Sequence, residues 1–88
     1  MERPYQMEYH LNPAFEAKMR KVFEKHNLEW DWNEWQEGDM VGKLVGSKDN
    51  LIAFTQEVFR DHKGRKLSRK AAAEDIEEAD FADHDLQA

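Results

Sequence analysis

Eighty-eight residues with 19 acidic and 13 basic side chains, a net charge of −6 and no cysteine bound this chain to one small domain without a disulfide, a thiol nucleophile or a thiolate metal site. A chain of this length buries only about 60% of its unfolded surface, so its core is small. No run approaches the ~20 apolar residues of a membrane span, and the opening MERPYQMEYH lacks the apolar core of a secretory signal; the expectation is a soluble, cytoplasmic protein with no membrane partner.

Tyr5–Leu11 alternates Tyr5, Met7, Tyr9 and Leu11 against Gln6, Glu8 and His10, the period of a half-buried strand. Asn12 then caps a helix that has Pro13 in its first turn, where the missing N–H costs nothing. Phe15, Met19, Val22, Phe23 and His26 form its apolar stripe, and Asn27 suits the left-handed residue that ends it. Leu28–Gln36 alternates again, with Leu28, Trp30 and Trp32 directed inward. Trp35 falls out of phase: either a bulge at Asn33/Glu34 resets the strand, or Trp35 lies on the solvent side. Glu37-Gly38-Asp39 is a turn into the strand Met40–Val45, where Lys43 favours Met40 and Leu44 as the inward pair. Gly46 permits a turn, Ser47 caps a second helix, and Leu51, Thr55, Val58, Phe59 and His62 mark its stripe, widened by Ile52 and Phe54 up to a closing Gly64.

The order β-α-β-β-α predicts an α+β fold: a three-stranded antiparallel sheet with two helices on one face, ferredoxin-like but lacking the last strand. Residues 1–64 form this core domain. Nothing after Gly64 reads as a fourth strand, so the edge of strand 5–11 is expected to be free to pair with a second copy or a partner strand. Ser68 caps a third helix over Arg69–Asp80, within a basic-to-acidic segment 65–80. Its charges oppose the helix dipole, with Arg69 and Lys70 at its start and Glu77, Glu78 and Asp80 at its end. Residues 60–70 hold six basic side chains and one acidic one, whereas 71–88 hold seven acidic and no basic ones. Residues 81–88 are expected to be a disordered acidic tail.

Three clusters are candidates for function. Trp30, Trp32 and Trp35, interleaved with Glu29, Asp31 and Glu34, suit a surface that anchors a basic protein partner, since tryptophan is enriched at binding hot spots; the same alternation also describes core tryptophans beside a wet strand face. The basic block Arg60, Lys63, Arg65, Lys66, Arg69 and Lys70 suits phosphate contact or a solvated junction neutralised by the acids that follow. The four histidines are scattered, and Asp80, Asp83, His84 and Asp85 resemble a hard-ion cluster in composition only. No catalytic constellation, metal set or phosphate loop is present in the sequence, so no cofactor and no metal is expected.

Within Asn50–Leu67, the pattern Asn50, Ile52-Ala53-Phe54, Glu57, His62 and Gly64-Arg65-Lys66-Leu67 resembles a segment of the AsiA family of small phage anti-sigma factors. The likeness covers 18 residues. It implies a small phage-type protein that binds host transcription machinery and, for the family, an all-helical fold; residues 1–46 instead read as strands around a helix. The sequence therefore predicts a non-enzymatic protein-binding module, an adaptor or inhibitor. Two alternatives are a nucleic-acid-associated or transcription-regulating protein using residues 60–70 and a small-ligand sensor domain with its site at a dimer edge.

Overall fold

The computed structural model describes residues 3–79. Its elements in chain order are β1 (Tyr5–Leu11), a 3-10 turn (Pro13–Phe15) leading into α1 (Glu16–Lys25), β2 (Glu29–Gln36), β3 (Asp39–Gly46), α2 (Lys48–Val58), α3 (Arg69–Ala72) and β4 (Glu77–Glu78). The strands form one antiparallel sheet in the order β2-β3-β1-β4. The α+β class is therefore as expected, but the sheet has four strands and not three. Glu78 and Glu77 pair with Tyr5 and Gln6, and Ala79 N–H donates to the Pro4 carbonyl at 3.0 Å. The edge of β1 expected to be free is covered over its first two residues.

Register explains where the core sits. Leu44 lies between Met7 and Trp30, Gly42 between Tyr9 and Trp32, and Met40 between Leu11 and Trp35. These rows face the helices, whose Phe23, Leu51, Ile52 and Phe54 complete the buried cluster. Met40 and Leu44 are thus the inward pair of β3, although Val41, on the other face, is also buried. Leu11, Leu44, Leu51 and Phe54 are essentially sealed from water, and each side chain stabilises the fold by roughly 1.5–3 kcal/mol. Tyr9 is the aromatic centre, edge-on to Phe23, Phe54, Trp30 and Phe59 at centroid distances of 5.6–6.1 Å. Burial raises its phenol pKa above the usual value.

Caps and turns follow the local chemistry. Asn12 accepts from Ala14 N–H at 2.9 Å, and Ser47 Oγ from Asn50 N–H at 3.1 Å. Asn27 ends the first helical segment at φ 55°. Glu37 and Gly38 both have positive φ, 51° and 87°, as a two-residue type I′ hairpin requires to match strand twist.

The third helix differs from expectation. It spans one turn, Arg69–Ala72, with Ser68 Oγ accepting from Ala71 N–H at 3.1 Å. The chain then turns, buries Ile76 and enters β4. The reversed charges give a longer helix no dipole support, whereas Ala72 and Ile76 gain burial in the common core. The tail 81–88 and Asp80 lie outside the described residues. The all-helical fold implied by the resemblance of Asn50–Leu67 is not that of this chain.

Candidate functional site

β2 is the outermost strand of the sheet on the side away from β4. Its pairing with β3 slips between Trp32 and Glu34, so Asn33 is the extra residue of a bulge. The bulge has one large consequence: it returns Trp35 to the face of Trp30 and Trp32. Gly42 makes the close approach there feasible, since a Cβ at that position would lie 2.3 Å from the Asp31 carbonyl oxygen.

The three tryptophans share a face but not an environment. Trp30 stacks on Phe23, with centroids 5.6 Å apart, and meets Tyr9 edge-on. Its indole N–H is buried without a hydrogen-bond partner among the described residues. Trp32 and Trp35 lie beyond the helices' cover, 47% and 56% exposed, and pack edge-to-face at 5.4 Å. Trp32 Nε1 donates to the Glu34 carbonyl across the bulge at 2.9 Å, which fixes one ring of the pair. Two large aromatic groups thus stand in water, already oriented.

Glu29, Asp31 and Glu34 occupy the opposite face, in register with Val45, Lys43 and Val41. All three are exposed, and none forms an ion pair among the described residues. Glu34 Oε1 accepts from Gln36 Nε2 at 3.0 Å. The tryptophans and carboxylates that the sequence groups together are therefore separated by the plane of the sheet and meet only along its edge.

The basic block is more internally engaged. Arg60 Nη1 donates to the carbonyls of Gln56, Glu57 and Phe59 at 2.9–3.0 Å, closing the end of α2. Arg65 lies 3.7 Å from Asp61, and Arg69 bonds Asp49 at 2.8 Å. Lys63, Lys66 and Lys70 are exposed and form no ion pair among the described residues. Asp61 Oδ1 accepts from both Lys63 and Arg65 N–H at 2.8 Å, and Gly64 turns the loop at φ 79°.

Two features were not visible in sequence. A groove of about 480 Å³ runs beside β1, lined in part by Met7, Tyr9, Phe59, Arg60, Leu67 and Ala72; it exists because the 60–67 loop and α3 fold back toward the sheet. Glu57 brings together Lys25, at 2.8 Å, and His26, at 3.0 Å. The Lys25 hydrogen bond, with a lesser one from His26, holds its carboxyl below the ordinary value. No three metal-ligating side chains converge among the described residues, and no helix there is long and apolar enough to cross a membrane.

No known protein family matches the chain, and neither curated proteins nor solved structures yield a match.

Proposed function

We propose that the protein is a non-enzymatic binding module, an adaptor or inhibitor, that engages a basic protein partner through β2. The observation that carries this reading is the exposed Trp32–Trp35 pair, held edge-to-face on a terminal strand whose other face presents Glu29, Asp31 and Glu34. Indoles left half in water and already oriented lose little conformational freedom on binding, which is what hot-spot anchors require. Carboxylates that form no ion pair among the described residues favour a cationic partner and repel phosphate. We take the scaffold as ferredoxin-like with a fourth strand cut to two residues, and the setting as cytoplasmic.

The basic loop supports the alternative, phosphate contact, less well. Arg60 and Arg69 already bond to backbone carbonyls and a carboxylate of the same chain and Arg65 lies 3.7 Å from Asp61, and the net charge of −6 opposes nucleic acid at long range.

Panning a random-peptide display library on the folded protein tests the reading. Basic peptides should be enriched, and the enrichment should disappear on the Trp32→Ala/Trp35→Ala double variant. An unbiased selection, or one that the double variant retains, contradicts it.

A further inference from the structure

We infer that the partner of β2 binds as an added strand: an extended segment, with Lys or Arg alternating with apolar residues, pairs along the open edge of β2 and becomes the fifth strand of the sheet. The inference rests on the docking reading above and narrows it from a surface to a binding mode.

Backbone, side chains and charge each point the same way. β2 is eight residues long and, among the described residues, bonded to β3 alone, so half of its backbone N–H and C=O groups face away from the sheet. Its side chains are sorted by face: Trp30, Trp32 and Trp35 on the helix side, Glu29, Asp31 and Glu34 on the other. A strand laid against this edge sends alternate residues to the two faces. Apolar side chains then meet the exposed indoles while cationic ones meet carboxylates, as favourable cross-strand pairs do.

Charge also selects the occupant. A second copy pairing β2 to β2 would set carboxylate against carboxylate, and cross-strand like charges are destabilising. A nucleic acid would bring phosphates to the same face. The bulge at Asn33 divides the edge into two short runs, Glu29–Trp32 and Glu34–Gln36, and gives the added strand one register in which its apolar residues reach both exposed rings.

The test uses four eight-residue peptides titrated into the intact protein, with tryptophan fluorescence and amide NMR shifts as readouts. The first alternates Arg and Val, and the second is its block isomer, four Arg followed by four Val. The third and fourth are the alternating peptide N-methylated at every Val or at every Arg, each deleting the N–H groups of one strand edge. The alternating peptide should bind with shifts along residues 29–36. The block isomer, whose side chains cannot sort by face, and one methylated isomer, which lacks the N–H groups of the pairing edge, should each bind at least about tenfold more weakly, while the other methylated isomer stays close to the parent. If all four bind alike, strand addition is wrong and the docking surface stands. If none binds, or the Trp32→Ala/Trp35→Ala variant binds the alternating peptide as tightly as the wild type, the docking reading itself falls.

Discussion

The two edges of the sheet are finished in different ways. At β1, pairing extends over only two residues of β4, but Ala72 and Ile76 bury themselves in the common core beside it. At β2, eight residues run along the outside, and every one of them except Trp30 is exposed. Buried aliphatic side chains back one edge, whereas large aromatic ones are left in water at the other. A flat aromatic edge is an aggregation hazard. The carboxylates of Glu29, Asp31 and Glu34 and the bulge at Asn33 are the ordinary means of suppressing self-pairing, and they also leave the edge usable by a cationic strand. In the proposed binding mode, one set of charges would both keep copies apart and select a partner.

Changes to the shared core should be largest and indifferent to which edge is considered. Phe54→Ala, which empties a fully buried position, is expected to cost roughly 3–5 kcal/mol in urea unfolding. A loss below about 1 kcal/mol would mean that α2 is not the inner wall of the core. Ile76→Ala probes the closed edge and should cost roughly 2 kcal/mol, with early amide exchange at Tyr5 and Gln6; unchanged protection there would separate β4 from that burial. Gly42→Ala probes the junction of β2 with β3. Its new methyl meets Asp31 and Trp32 backbone at 2.3–2.8 Å, so a loss of roughly 1–3 kcal/mol is expected, with the largest amide shifts at the bulge.

At the open edge, neutralising Glu29, Asp31 and Glu34 together with Gln, Asn and Gln should leave the fold intact but promote self-association, measured by analytical ultracentrifugation. A variant that stays as monodisperse as the wild type would remove the protective role of these charges. The smallest effect concerns pH. The carboxyl pKa of Glu57 is depressed by Lys25 and His26, so the stability it contributes is present above the unfolded-state value, 4.5, and lost as pH falls through the lower folded value. Because the group is solvent-exposed, Glu57→Gln should cost at most about 0.5 kcal/mol at pH 7, and the difference should shrink as pH falls below 4.5 in a series of thermal melts. A difference that grows in acid would reverse the sign of that assignment.

Much of the sheet was legible because alternation is a strong signal: Tyr5–Leu11 and Met40/Leu44 have the period of their strands, and Ser47 and Asn12 announce their helices. β4 was not legible. Two glutamates carry no strand preference, and what holds them is backbone pairing to Tyr5 and Gln6, together with an Arg3–Glu78 contact at 3.4 Å. The third helix was overextended because Ile76 fits a helical stripe as well as it fits a buried turn. At β2 the pattern set the face of Trp30 and Trp32 and offered the bulge as one of two explanations for Trp35. It could not convey how far the helices reach, since cover over a strand is a property of helix placement and not of the strand's own residues.

Docking through β2 requires that Trp32 and Trp35 be surplus to the fold, and the urea-unfolding free energy of the Trp32→Ala/Trp35→Ala double variant tests this most directly. Half-exposed rings with no place in the buried cluster should cost about 3 kcal/mol or less in total. A loss of about 4 kcal/mol or more, equal to emptying a core position, would make the pair structural and contradict the account.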